Sequence, residues 1–333
     1  MAIYSPPYQV FCAEDILMSD REVRYFITGG TGFIGSHLVD RLIEGGWVTV
    51  YDNLSSGKVD FIEPHLKRRN FKLIKADLLD MEVLKKSIIG HDVVFHLAAN
   101  PEVKAGYGDT ELDLKNGIIA TYNLLEAMRI NKVGKIVFTS SSAVYGEITS
   151  GPVSEEKGPL PISLYAAAKL ASEGLISAYS HLFNIQGLIF RMANVVGPRL
   201  THGIIFDFIT KLRENPKELE ILGDGRQQKP YLYIDDCIDG MLFAFKEIKE
   251  QVGIFNLSPS SSTKAVTIAE MVVEAMGLRD VKFKYTGGER GWPGDVPKVE
   301  LDTTKMRKLG WSPKYSSDEA IKKTIEDILG KRY

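Results

Sequence analysis

No stretch of this chain is apolar for the about twenty residues that a membrane-spanning helix requires, so a helical membrane protein is not expected. Cysteine is scarce as well. Cys12 and Cys237 are the only two in 333 residues, too few for a disulfide framework or a cysteine metal cluster, and both are expected to stay reduced. The six histidines have no HExxH or comparable spacing, and no metal site is expected. Neither sign of charge dominates: 41 basic against 43 acidic residues give a formal net charge of -2. Nucleic-acid and anionic-membrane binders usually carry a basic face or run, so neither partner is expected. The opening MAIYSPPYQVFCAED has no basic start and no apolar signal core, and a cytoplasmic location is the expectation.

What is present is an ordinary globular composition, 44% apolar and 25% charged, in a length that allows roughly two domains. Residues 1–22 read as an N-terminal extension, because Pro6-Pro7 and mixed polarity precede the first clear strand while Met18 opens MSDREVRYFITGG. A leader from an upstream start and a short docking segment are both open readings of it. From Val23 the chain alternates. The apolar runs VRYFIT, WVTVYD, FKLIKAD, DVVFHLAA, GKIVFTSSS and QGLIFRMANVVG have strand character, and segments such as FIGSHLVDRLIEGG, IIATYNLLEAMRI and YAAAKLASEGLISAYS have helical spacing. Such alternation predicts a parallel sheet covered on both faces. Beyond Pro198 it loosens into a helix around Ile204–Arg213, a LEILGDG turn and a return strand KPYLYI. Residues 23–199, with a return segment 229–258, are expected to form the sheet domain, and 200–228 with 259–333 a smaller mixed domain.

TGGTGFIG follows the first strand directly and opens the first helix. Gly30, Gly32 and Gly35 satisfy GxGxxG, while Gly29, Gly32 and Gly35 give a second reading, GxxGxxG. Glycines here let the backbone turn tightly and approach a pyrophosphate, which then sits on the free N–H groups and positive dipole end of the helix. Asp52 ends the second strand about 20 residues on. A carboxylate there accepts from the adenosine ribose hydroxyls and repels an added 2′-phosphate, so NAD is expected over NADP, with Lys58 near enough in sequence to leave NADP open. Asp77 occupies the analogous end of the third strand, suited to an adenine amino group or to capping a helix.

Tyr165 and Lys169 stand four residues apart in SLYAAAKLASEG, where i and i+4 of a helix share one face. Chance supplies such a spacing in a chain of this composition. A phenol of pKa near about 10 is a poor base at neutral pH, but a nearby ammonium and a positive nicotinamide ring both favour its ionised form and are expected to lower it. Such a tyrosine takes a hydroxyl proton while a hydride leaves the same carbon for the cofactor. Independent support comes from TSSSAVYG, Thr139 to Gly146, at the C-terminal end of the fifth strand, the edge at which open parallel sheets bind ligands. Cradle, acid, serine-tipped strand and Tyr/Lys helix occur in that order.

On TGGTGFIGSHLVDRL, YDNLSSG, HLAA, TSSSAVYGE, YAAAK, RMANVVGP and GDVP, the chain from about Val23 to its C-terminus resembles the extended short-chain dehydrogenase/reductase family. Within that family it is similar to the UDP-glucose 4-epimerase (UDP-galactose 4-epimerase) group. The resemblance implies an α/β fold, a Rossmann-type doubly wound parallel sheet with a smaller mixed α/β C-terminal substrate domain. It implies NAD as cofactor, a UDP-sugar as substrate, and Ser141, Tyr165 and Lys169 as the catalytic trio, with Ser142 in place of Ser141 if the register slips by one. Gly29, Gly32, Phe33, Ile34, Gly35, Asp52, Asn53, Ser55, Ser56, Gly57, Asp77, Leu78, Leu97, Ala98, Ala99 and Asn116 would line NAD together with Tyr165 and Lys169. Ser141, Ser142, Tyr165, Asn194, Lys229, Arg290, Asp295 and Val299 would meet the sugar nucleotide. In the implied cycle the sugar C4 is oxidised, the 4-keto sugar turns over while its diphosphate stays anchored, and the hydride returns to the opposite face.

Two positions depart from the family pattern. Lys229 replaces an Arg, offering a point charge instead of a fork, and in ERGWPGDVP Trp292 stands where an Arg is usual, with Arg290 two residues further back. Either Arg290 reaches the diphosphate from a longer loop, or the base is not uracil. Val299 stands where the family's bulky gatekeeper Tyr would restrict the pocket, so UDP-GlcNAc and UDP-GalNAc are expected substrates beside UDP-glucose and UDP-galactose. A 4,6-dehydratase would carry Asp-Glu where this chain has Ser142-Ala143. A UDP-uronate epimerase or decarboxylase remains the alternative, with Arg191 and Arg199 as candidate cations for a C6 carboxylate. The helices at about 112–130 and 164–183, apolar on more than one face, are expected to pair in a homodimer.

Overall fold

The computed structural model describes residues 22–148 and 151–330, and residues 1–21 of the expected extension lie outside them. In chain order the first half contains β1 (Val23–Thr28), α1 (Phe33–Leu42), β2 (Gly46–Asp52), β3 (Phe71–Lys75), α2 (Met81–Ser87), β4 (Val93–His96), α3 (Ala105–Gly108), α4 (Thr110–Asp113), α5 (Ala120–Asn131), β5 (Lys135–Ser141), α6 (Leu164–Phe183) and β6 (Gln186–Met192). Then follow β7 (Asn194–Val196), α7 (Ile204–Glu214), β8 (Glu218–Ile221), β9 (Gln228–Lys229), β10 (Tyr231–Tyr233), α8 (Ile234–Glu247), β11 (Val252–Leu257), β12 (Thr263–Lys264), α9 (Ala265–Ala275), β13 (Lys282–Tyr285), α10 (Thr304–Leu309) and α11 (Ser317–Leu329).

Seven strands form one sheet in the order β11-β6-β5-β4-β1-β2-β3, and every neighbouring pair is parallel. The order reverses between β1 and β4, which opens a crevice at the strands' carboxyl ends. Period-2 alternation divides the core. Tyr25, Ile27, Val50, Phe95 and Phe190 point to the face covered by α1 and α8, where Leu38, Leu42 and Met241 are buried. Phe26, Tyr51, Val94, Phe138 and Ile189 point to the other face, under Leu84 of α2, Leu124 and Met128 of α5 and Ile176 of α6. Both faces are dry, so the strands read as unbroken apolar runs. Fully burying one such side chain contributes about 1.5–3 kcal/mol.

α6 begins where the Ser163 hydroxyl accepts from Ala166 N at 3.2 Å and ends at Asn184 in the left-handed region, φ 55°. Those two stops fix the phase of the helix that carries Tyr165 and Lys169. α5 is preceded by a π-helical turn, Leu114–Ile119, so Ile118 and Ile119 of the expected helix belong to that turn instead.

The strand pattern differs from expectation at two places. QGLIFRMANVVG is not one strand: β6 stops at Met192, Ala193 N donates to Leu257 O at 2.9 Å, and Asn194–Val196 leaves the sheet to pair with Tyr231–Tyr233. KPYLYI is interrupted by Pro230, which has no N–H to give a ladder. β9 before it pairs antiparallel with β12, and β10 after it pairs parallel with β7. No helix among the described residues is long and apolar enough to cross a membrane.

Candidate active site

A cavity of about 1130 Å³ runs along the carboxyl ends of the sheet and under the segments that follow β7. Its first wall is the glycine turn. Gly29 has φ 70°, and a Cβ on it would lie 2.7 Å from Ala98 N, while one on Gly35 would lie 2.2 Å from Gly29 O. Backbone therefore approaches backbone where only hydrogen fits. Gly30 does not line the cavity, and a Cβ on it would lie 2.6 Å from Val50 Cγ2 on the sheet side, so of the two readings GxxGxxG describes the cradle. α1 starts at Gly32 with no side-chain cap and no acid in its first turn. Its free N–H groups and dipole remain available to an anion, which is what a pyrophosphate requires.

Asp52 is buried at the end of β2, where Oδ2 accepts from Thr31 N at 3.1 Å and Oδ1 from Leu54 N at 2.9 Å. Those bonds hold its carboxylate against the cavity with lone pairs to spare for a ribose. Asn53 donates to Asp77 Oδ2 at 2.9 Å, and Asp77 Oδ1 accepts from Leu79 N at 2.8 Å. The N-cap of α2 is Asp80, so Asp77 closes the preceding turn and faces the cavity. Lys58 does not line it; its ammonium lies 5.8 Å from the Phe61 ring centre, which removes the cation that left NADP open. Phe33, Ile34, Ser55, Ser56, Gly57, Leu78, Leu97, Ala98, Ala99 and Asn116 complete this wall as expected.

Ser141 ends β5, and Tyr165 and Lys169 descend from the first turns of α6 onto the same spot, all three lining the cavity. Ser141 acts on the Tyr165 phenol and favours its ionised form, and Ser142 lines the cavity beside it. Lys169 is buried; its Nζ donates to Thr139 O at 2.7 Å and lies 4.8 Å from the Phe138 ring centre and 5.7 Å from that of Tyr165. Burial pushes the phenol up to about 12, against the downward pull of Ser141. Burial likewise pushes the Lys169 ammonium down to about 8, with Glu173 and Asp113 drawing it back up. The net lowering expected from Lys169 is not found, because desolvation of the phenolate dominates; the part assigned to a positive nicotinamide rests on the cofactor.

Comparison with known proteins agrees with this geometry. The model of the NAD dependent epimerase/dehydratase family matches residues 25–258. The chain belongs to that family. It is 33% identical over 320 residues to the UDP-glucose 4-epimerase of Mycolicibacterium smegmatis, covering 93% of this chain and 99% of that one. A solved UDP-galactose 4-epimerase structure is 41% identical, with a TM-score of 0.82 over 93% of this chain and 100% of that one. The UDP-N-acetylglucosamine 4-epimerase of Methanobrevibacter ruminantium, solved with UDP-N-acetylmuramic acid, is 30% identical, with a TM-score of 0.84 over 94% of this chain and 100% of that one.

As in other members of the NAD dependent epimerase/dehydratase family, the cofactor is NAD. The glycine cradle and uncapped α1 fit its pyrophosphate, and Asp52 fits its ribose. The opposite wall gathers Asn194, Lys229, Asp295 and Val299 as expected, but Arg290 does not line the cavity. Its guanidinium donates to Asp295 O at 2.6 Å and pairs with Glu147 beyond the rim. Lys229 is already paired with Asp295, whose Oδ2 also accepts from Gly291 N at 3.0 Å. Arg191 and Arg199 are corrected too. Arg191 is buried, bidentate on Glu173, and Arg199 pairs with Asp40 at 2.8 Å; neither lines the cavity. Sequence reasoning missed Asn100, His202, Lys211, Leu222 and Gln227, which also line it. Lys211 stands on α7 and the other four on loops, outside the motifs that marked the site.

Proposed function

We propose that the protein is an NAD-dependent 4-epimerase of UDP-hexoses, interconverting UDP-glucose and UDP-galactose through a transient 4-keto sugar. The observation that carries this reading is that Ser141, Tyr165 and the buried Lys169 line one cavity with the glycine turn on one side and Asn194, Lys229 and Val299 on the other. NAD, when bound, supplies the acceptor and then the donor for the hydrogen on C4. Tyr165 takes the C4 hydroxyl proton and later returns it, Ser141 orients that hydroxyl, and Lys169 stabilises the phenolate. Lys229 meets the diphosphate once Asp295 yields it, and Asn194 meets the sugar nucleotide.

Val299 lines the cavity with less volume than a Tyr at that place would take, which supports turnover of UDP-GlcNAc and UDP-GalNAc as well. Arg191 and Arg199, held by Glu173 and Asp40, offer nothing to a C6 carboxylate, which favours neutral hexoses over uronates. We assign residues 23–199 with 229–258 to a cofactor unit and 200–228 with 259–333 to a substrate unit. The chain is read as a homodimer, because α5 exposes Tyr122 and Ile130 and α6 exposes Leu164, Leu182 and Phe183; sedimentation of Leu182→Asp as a monomer checks this.

Incubating the protein with UDP-glucose, UDP-galactose, their acetamido counterparts and UDP-glucuronate, and reading the anomeric NMR signals, tests the function. Interconversion of the first pair without net NADH is expected. Turnover of the uronate alone, or steady accumulation of NADH, overturns it.

A further inference from the structure

Two buried carboxylates act on Lys169, and they are held differently. Glu173, one turn further along α6, receives Arg191 Nε at 3.0 Å and NH2 at 2.7 Å, and the Ser140 hydroxyl as well. Its charge is matched. Asp113, at the end of α4, is 3% exposed, and its Oδ1 accepts from Asn100 Nδ2 at 3.0 Å. Its Oδ2 is buried with no hydrogen-bond partner. That oxygen has a definite position: a Cβ on Gly106 would lie 2.2 Å from it and 3.5 Å from Cβ of Leu164, the residue before Tyr165. The carboxylate thus packs on Gly106, whose open side also faces Leu164 at the start of α6. A buried carboxylate with so few donors is costly unless a charge answers it, and Lys169 is the cation that lowers it. No motif marks Asp113, and the proposed reaction makes no use of it.

We propose that Asp113 is a positioning residue of the Tyr165–Lys169 pair, its unpartnered oxygen supplying the unneutralised negative charge against which the buried Lys169 ammonium is held. This rests on reading Tyr165 and Lys169 as the catalytic pair. The other charges around them do not take its place. Glu173 is countered by Arg191 of β6, and His96 of β4 is neutral, burial pushing it down to about 3. Glu111 and Lys115 pair with each other at the surface, and Asp109 and Lys104 are exposed. Burial raises the Asp113 carboxyl itself, against Asn100 and Lys169, which lower it. The Asp113 charge raises both the phenol and the ammonium. Its loss therefore eases ionisation of Tyr165 and deprotonation of Lys169, which moves both limbs of a pH–rate profile the same way.

Asp113→Asn removes the charge with little change of shape. The expected result is a kcat profile displaced toward lower pH by about one unit, with bound NAD unchanged. A lower kcat at an unmoved profile would mean a packing role only and overturn the proposal. In parallel, NMR titration of 13C-labelled lysine, with Lys169 identified through Lys169→Met, reads the ammonium without any substrate; its midpoint should fall in Asp113→Asn and is unmoved if the proposal is wrong. Should the wild type turn over no UDP-sugar, the functional reading fails while this titration still decides the role of Asp113. Asp113→Ser, smaller and neutral, gives the same shift if the amide is not accommodated.

Discussion

The two walls of the cavity meet their ligands by opposite means. On the cofactor side the donors stand free: α1 begins uncapped at Gly32, and the glycine turn keeps side chains out of the way. On the other side the lysines are already engaged, Lys229 with Asp295 and Lys211 with Asp207 at 3.0 Å and Glu220 at 3.4 Å. A preorganised, unpaired anion site binds without displacing anything, whereas a paired one must exchange a partner for each ligand. The first suits a cofactor that stays through many turnovers, the second a substrate that leaves after each one.

Tyr165→Phe separates the walls most sharply. It is expected to lower kcat by about 10³-fold or more while NAD remains bound, read as epimerisation against released nucleotide. Gly35→Ala attacks the cofactor wall alone. With Gly29 O 2.2 Å from the new Cβ, the turn must open, and a loss of about 10²-fold in NAD affinity is expected by fluorescence titration. On the substrate wall, Lys229→Met should raise KM about tenfold at nearly unchanged kcat and flatten its dependence on salt, because the ligand no longer gains a cation.

The smallest effect concerns stability. Lys169 holds its proton only up to about 8 when folded, against 10.5 ordinarily. Between those values the unfolded chain binds a proton that the folded one does not, so this residue makes stability rise with pH across that window. Lys169→Met should remove that rise, at most about 1.4 kcal/mol per pH unit. Urea midpoints of the two proteins at pH 7 and pH 10 check it: the variant's advantage at pH 7 should shrink at pH 10.

The sheet was legible because each strand carries its own evidence. VRYFIT and DVVFHLAA are apolar at their buried positions except Thr28 and His96, which bond each other at 2.8 Å, and the glycines and Asp52 follow at distances set by strand and helix geometry alone. The breaks in that pattern were not legible. QGLIFRMANVVG is mostly apolar, and the break after Met192 is set by distant partners, Leu257 O for Ala193 N and Tyr231–Tyr233 for Asn194–Val196. The Tyr/Lys pair and Ser141 could be read because a helix repeats within four residues. The partners that set their electrostatics, Asp113, Asn100 and Glu173 with Arg191, could not.

By itself, then, the sequence determined what depends on near neighbours: the doubly wound order of strands and helices, the glycine turn, the acid that follows it and the face shared by Tyr165 and Lys169. Tertiary structure decided which glycine triplet forms the cradle, that Arg290 is turned toward Glu147, that Arg191 is taken by Glu173, and how far the phenol is raised. Backbone periodicity is a short-range property that one segment can encode. Ion pairing and desolvation depend on which distant segments are packed together, and that exists only once the chain has folded.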